Sequence, residues 1–187
     1  IVPEERGRFL DHLGASLETA KELGCQNLYI HSNAIGQNGK MSTRENGLSD
    51  CAKTAAATRA PMEGAVLAQQ YGIVLQVEPV SSHAFPGYYM NTTASAGDVV
   101  SVVDSPNVRL LYDIYHMQMM EGDFTRIIDR YKEIIGFIHI ADSPGRHEPG
   151  TGEINFHYFR KILEEMNYQG IIGFELSPSG EIDECMH

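Results

Sequence analysis

The sequence has no CxxC pair. Its three cysteines, Cys25, Cys51 and Cys185, are widely separated and odd in number, which argues against both a disulfide framework and a structural zinc site. It also lacks any run of about 18 apolar residues. The first residues, IVPEERGR, are charged, so neither a membrane span nor a secretory leader is expected, and the expected location is cytoplasmic. Basic residues are scarce: 14 Lys and Arg stand against 25 Asp and Glu, a net charge of −11. A field of that sign repels a phosphate backbone and no local basic patch offsets it, so neither nucleic acid nor a membrane is an expected partner. Low-complexity segments are absent, and no Gly-rich fingerprint follows any apolar run.

What is present suits one folded unit. The chain has 187 residues, 42% hydrophobic and 21% charged, enough for a sizeable core. Helical periodicity alternates with short β-branched runs, the pattern of repeated βα units around a parallel sheet. Helices are expected over residues 4–23, 54–71 (kinked or restarted at Pro61), 93–103, 123–134 and 156–166. Strands are expected over 26–31, 73–78, 108–113, 137–141 (opened by Gly136) and 170–175. Residues 32–50 and 143–153 read as long loops rich in Gly, Asn and Pro.

Five strands, each preceded by a helix, fall short of the eight that close a (β/α)8 barrel. Three further units of about 30 residues would add roughly 90 and reach the usual barrel length of about 250. The expected fold class is therefore α/β, a partial (β/α)8 TIM barrel forming a single domain over residues 1–187. A start at Ile1, directly into a helix, agrees with absent N-terminal units. The alternative is an open, doubly wound five-stranded sheet.

Four of the expected strands finish with a metal-capable side chain: Glu78 in VEP, Asp113 in LLYD, His139 in FIHIAD and Glu175 in FELSP. In a barrel, all strand C-termini open on one face, so the four would converge. Two glutamates, an aspartate and an imidazole make a mostly oxygen donor set. Such a set suits one divalent cation, Mg2+ or Mn2+ first, with Co2+ or Zn2+ able to substitute. Any one of these residues alone reads as an ordinary helix cap or, for His139 between Ile138 and Ile140, a core histidine. Repetition is the signal, because buried ionised carboxylates are costly unless paired or metal-bound.

The stretches LLYDIYHMQMMEGD (110–123) and IADSPGRHEPGTGEIN (140–155) resemble the hydroxypyruvate isomerases, within the wider group of xylose isomerase-like barrels. The resemblance runs nearly the whole chain and is densest from Glu78 to Glu175. It implies a single cation held by Glu78, Asp113, His139 and Glu175, with Glu78 and Glu175 also serving as the catalytic acid/base pair. Many hydroxypyruvate isomerases carry glutamine where His139 stands, and related ketose 3-epimerases carry histidine. His116, three residues after Asp113, could reach the substrate from an extended strand end or a first turn, as a histidine at this spacing does in the epimerases. Arg146, the one Arg or Lys of its loop, suits the substrate carboxylate. His83 and Glu153 are weaker candidates for lining the pocket.

The implied reaction interconverts hydroxypyruvate and tartronate semialdehyde through an enediolate, an intramolecular oxidoreduction on a small hydroxy-carbonyl acid. Competing readings are a ketose 3-epimerase or a related sugar or oxo-acid isomerase on the same metal site. An abasic-site endonuclease would need further zinc ligands and a basic face. A non-catalytic barrel would not need four strand-end ligands. Strand edges left open in a partial barrel would aggregate or recruit partners, a second copy of the chain among them.

Overall fold

In the computed structural model, which describes residues 2–34, 41 and 47–181, five parallel strands lie side by side in chain order. After a short 3-10 turn at Pro3–Glu5, the elements run α1 (Arg6–Glu22), β1 (Asn27–Ile30), α2 (Asp50–Tyr71), β2 (Val74–Val77), α3 (Thr93–Val103) and β3 (Val108–Asp113). They continue with α4 (Ile114–Met120), α5 (Phe124–Tyr131), β4 (Ile135–Ile140), α6 (Phe156–Glu165) and β5 (Ile171–Phe174). A doubly wound sheet reverses its strand order at a switch point. The order β1-β2-β3-β4-β5 never reverses, so the open-sheet alternative is discarded and the sheet is the wall of a half-barrel.

Side chains of a strand alternate between its two faces. On one face, Leu75, Val77, Leu110, Tyr112 and Ile138 are buried and form one core with Leu13, Leu17, Ala65, Ala68, Val99, Val103, Ile128 and Phe159 of the helices. The opposite, inner face carries Tyr29, His31, Gln76, Glu78, Asp113 and His139. Its lower end is held by Gln76 Nε2 donating to Asn27 Oδ1 at 2.8 Å.

The register carries this alternation from strand to strand. Ile30 pairs with Val77, Val77 with Leu110, Asp113 with His139, and Ile140 with Phe174. One step past the paired ends, His31 stands beside Glu78 and Glu175 follows Phe174. Between β3 and β4 the register shifts at Leu110/Leu111. Gly136 is the extra residue there. A Cβ on it would lie 2.8 Å from Arg109 Cβ and 2.9 Å from Gln76 Nε2, a close approach that calls for glycine at a bulge.

The α3 and β3 bounds agree with expectation, while other boundaries move. The expected first helix, 4–23, divides into the 3-10 turn and α1 because Pro3 opens a tight first turn. The second helix begins at Asp50 rather than residue 54, because Ser49 accepts a hydrogen bond from Ala52 N and caps it. It runs through Pro61 without restarting; Pro61 is buried, and packing of this face between α1 and α3 holds the turn that lacks one N–H. The fourth expected helix ends at Tyr131 rather than residue 134, and β4 begins at Ile135, with Gly136 inside it. The remaining strands and the last helix are shorter than expected by one or two residues at their ends. Helix α4 was not expected at all. Of the expected loop 32–50, residues 35–40 and 42–46 lie outside the described residues, as does Cys185.

No described helix is long and apolar enough to cross a membrane. The described cysteines, Cys25 and Cys51, are free and exposed.

Leu110 is fully buried, whereas Leu23 is 74% exposed. In the full-length protein, Leu110→Ala is expected to cost about 3 kcal/mol of unfolding free energy, and Leu23→Ala less than about 0.5 kcal/mol. Urea denaturation of both variants checks the assigned core; equal midpoints would contradict it.

Candidate functional site

Glu78, Asp113, His139 and Glu175 stand at the C-terminal ends of β2, β3, β4 and β5. Each offers one ligand atom, and these atoms all lie within 4.8 Å of one another. Glu78, Asp113 and His139 are buried, whereas the Glu175 side chain is 41% exposed. His139 Nδ1 lies 3.0 Å from Glu175 Oε2, 3.7 Å from Glu78 Oε1 and 3.9 Å from Asp113 Oδ2.

Asp113 serves two ends at once. As N-cap of α4, its Oδ1 accepts from His116 N at 3.1 Å, which leaves Oδ2 turned to the cluster. Glu78 is divided in the same way. Its Oε2 is held by His31 Nε2 at 2.8 Å, and its Oε1 is buried with no hydrogen-bond partner, as is His139 Nδ1. Two unpartnered buried donor atoms facing each other within an oxygen-rich set are what a cation needs, and bonds of about 2.0–2.6 Å to one ion bring ligand atoms to this spacing. These four residues therefore fit a divalent ion.

The electrostatics follow from placing like charges together. Burial pushes the Asp113 carboxyl up to about 7, the Glu78 charge adds to the rise, and Arg146 offsets part of it. Burial would raise Glu78 as well, but His139 and His31 outweigh it and hold the group at about 2. Burial pulls His139 down, yet the Glu175 and Glu78 carboxylates win and raise it to about 9. Glu175 is lowered, chiefly by His139. His116 is lowered to about 4, first by burial and then by the Arg146 charge, so its ring is neutral.

Arg146 reaches the same place from the loop after β4. Its Nη2 lies 2.6 Å from Glu175 Oε2 and 3.2 Å from Asp113 Oδ2, its Nη1 3.3 Å from His116 Nε2, and its Nε donates to the Glu175 carbonyl at 3.3 Å. The guanidinium also stacks 4.9 Å from the centre of the Tyr115 ring. The structure thus brings Glu78, Asp113, His139, Glu175, His116 and Arg146 together. His116 does so from the first turn of α4. His83 and Glu153 are exposed instead; Glu153 accepts from Gln118 Nε2 at 3.3 Å.

Four contributors were not singled out from the sequence. His31 holds Glu78, and the Tyr29 ring sits edge-on to His139 at 5.7 Å. Tyr115 supports Arg146, and Asp142 ties the loop from which Arg146 projects. His31 had a readable signal, since it is the polar residue ending a fifth strand, QNLYIH. Tyr115 and Asp142 had none, because their parts depend on loop and helix geometry that residue spacing does not encode.

A half-barrel wall with candidate ligands converging at its strand ends defines a class, the (β/α)8 barrels. The match to known families agrees: a model described as xylose isomerase-like TIM barrel covers residues 2–185, and the chain belongs to that family. It is 42% identical over 106 residues to the hydroxypyruvate isomerase of Escherichia coli K12, a match covering 57% of this chain and 41% of that protein. It is 31% identical over 166 residues to the 2-oxo-tetronate isomerase of Haemophilus influenzae, covering 89% of this chain and 61% of that protein. A crystal structure of an AP endonuclease, family 2, from Brucella melitensis superposes with a TM-score of 0.88 at 29% identity, covering all of this chain and 69% of that one. The resemblance to hydroxypyruvate isomerases read from the sequence is borne out. The chain spans between 41% and 65% of the length of the curated relatives it matches.

Because asparagine caps a helix as well as aspartate does, Asp113→Asn and Asp113→Ala remove the same charge but differ in the cap. The alanine variant is expected to be less stable than the asparagine variant by about 1 kcal/mol. Urea unfolding of the pair measures the difference, and identical midpoints would remove Asp113 as the cap of α4.

Proposed function

We propose that the protein is a metal-dependent isomerase that interconverts hydroxypyruvate and tartronate semialdehyde. The observation that carries this reading is the juxtaposition of four strand-end ligand atoms within 4.8 Å and a guanidinium on the same wall, 2.6 Å from one of them. The names of the Escherichia coli and Haemophilus relatives support it, since both are isomerases.

A cation held by Glu78, Asp113, His139 and Glu175 supplies Lewis-acid polarisation of adjacent carbonyl and hydroxyl oxygens. The protein's own groups do the rest. Glu78 and Glu175 flank the site as the acid/base pair: one removes a proton from C3 and the other delivers one to C2, through an enediolate, while the hydroxyl proton passes from the C3 oxygen to the C2 oxygen. The neutral His116 ring, free of positive charge, can share a hydrogen with a substrate oxygen without competing for the acid end. Arg146 takes the substrate carboxylate, for which its fork geometry is suited. Burial of Glu78 and Asp113 keeps the carboxylates out of bulk water, which would weaken their interactions.

A second reading is favoured by one observation, the histidine rather than glutamine at position 139, a feature shared with ketose 3-epimerases. On that reading the same groups work on a longer, neutral sugar. The four-carbon oxo acid named for the Haemophilus protein would also satisfy Arg146. Nucleic acid is disfavoured by the net charge of −11, whatever the name of the Brucella structure. Among the described residues, the four ligands above are the single group able to hold a metal ion.

Proton NMR of hydroxypyruvate in D2O with the full-length protein tests the reading. Deuterium entering C3 and tartronate semialdehyde forming with Mg2+ or Mn2+, and neither with EDTA, is the expected result; turnover of a ketose alone would move the assignment to the epimerase. Glu78→Gln and Glu175→Gln are each expected to lower kcat by at least about 100-fold with the fold kept, and full activity in either would remove that residue from the acid/base pair. Arg146→Met is expected to raise KM for the acid by about tenfold or more. An unchanged KM would end its role in binding the carboxylate.

A further inference from the structure

We propose that Asp142 is a positioning residue for Arg146, and that through Arg146 it sets the affinity for an acidic substrate. This inference rests on the reading of Arg146 as the group that binds the substrate carboxylate.

Asp142 is 1% exposed and touches none of the four candidate ligands. Its Oδ1 accepts from Ser143 N at 2.9 Å and Ile154 N at 3.1 Å, and its Oδ2 accepts from Gly150 N at 2.9 Å and Gly152 N at 2.8 Å. One carboxylate therefore gathers the outgoing and returning limbs of the loop 142–154. The backbone of the same residue closes the turn that carries the arginine: Asp142 N donates to His147 O and Arg146 N to Asp142 O, both at 2.8 Å.

Two features show that the loop is tightly constrained. Arg146 has φ +55, a left-handed conformation that is disfavoured for a non-glycine residue. Gly152 passes so close to Asp142 that a Cβ on it would run into Ser143 O and Asp142 Oδ1. Charged acceptors make stronger hydrogen bonds to N–H groups than neutral ones, and four of them converge here. Beyond the loop, Ser177 N donates to Arg146 O at 2.9 Å and His147 Nδ1 lies 2.6 Å from Ser177 O. The turn is thereby joined to the segment that follows β5 and Glu175. The guanidinium leaves this fixed turn to stack on Tyr115 and face His116, Asp113 and Glu175.

Asparagine in place of Asp142 keeps the size but only one accepting oxygen. Whichever oxygen becomes the amide, two N–H groups then face a donor. Arg146 remains in the chain, but the turn that aims it is loosened.

The test is a double-mutant cycle in the full-length protein with hydroxypyruvate, combining Asp142→Asn with Arg146→Met. The expected result is that Asp142→Asn raises KM about tenfold, leaves kcat within about twofold, and has no further effect in the Arg146→Met background. Mn2+ affinity of Asp142→Asn, read by titration without substrate, is expected to stay within about twofold of the parent. Effects that multiply in the double variant, an unchanged KM, or a joint fall in kcat and Mn2+ affinity would each overturn the proposal as general structural damage or no role. If Arg146→Met alone leaves KM unchanged, the reading of Arg146 fails first, and that is visible without Asp142→Asn. Should Asp142→Asn not fold, Asp142→Glu, which keeps the charge but displaces the carboxylate by one methylene from the four N–H groups, carries the same cycle with the same expected signs.

Discussion

Glu78 and Asp113 are 3% and 1% exposed and turn their carboxylates toward the same imidazole, and the rest of the site is arranged around the cost of that proximity. Two unit charges about 4 Å apart repel by about 4 kcal/mol at an effective dielectric of 20, and burial adds to it. Burial is the larger cause of the rise of Asp113 to about 7, and the Glu78 charge adds to it. His31 from the end of β1 and Arg146 from the loop after β4 each bring a donor to a carboxylate. A buried charge of this kind is tolerated when partnered, and the donor atoms still lacking partners, Glu78 Oε1 and His139 Nδ1, point to the place where a cation completes the set.

The same constraint explains what could be read in the sequence and what could not. Alternation and β-branched runs located all five strands, because burial on the helix side imposes the pattern residue by residue. The ligand positions were legible as strand ends because a parallel barrel opens all of them on one side. Helix α4 was missed, since its seven residues, IYHMQMM, are apolar on several sides and its start is set by Asp113, itself a strand residue. Gly136 reads from the sequence as the opening of β4 rather than as a bulge inside it, because the bulge that needs it arises from contact with Arg109 and Gln76 on neighbouring strands. Asp142 was invisible for a related reason: four backbone N–H groups from a loop of mixed composition meet it only once the loop is folded.

Barrels of this architecture host many reactions, so the fold restricts the answer less than the wall does. The four ligand positions would serve an isomerase or an epimerase equally. On the proposed reading, a substrate with a carboxylate is told from one without by the cationic fork of Arg146, which lies beside the His116 ring and the Tyr115 face. Arg146 projects from the loop between β4 and α6, and Tyr115 and His116 from the first turn of α4, whereas the candidate ligands stand at strand ends. On that reading the sheet would fix the chemistry and the tied loop would select the substrate.

The most direct test of this account is anomalous diffraction from crystals of the full-length protein grown with Mn2+. The account predicts one strong peak bonded, at about 2.0–2.3 Å, to an oxygen of each of Glu78, Asp113 and Glu175 and to a nitrogen of His139. A peak held by other residues, or none at millimolar Mn2+, would contradict it.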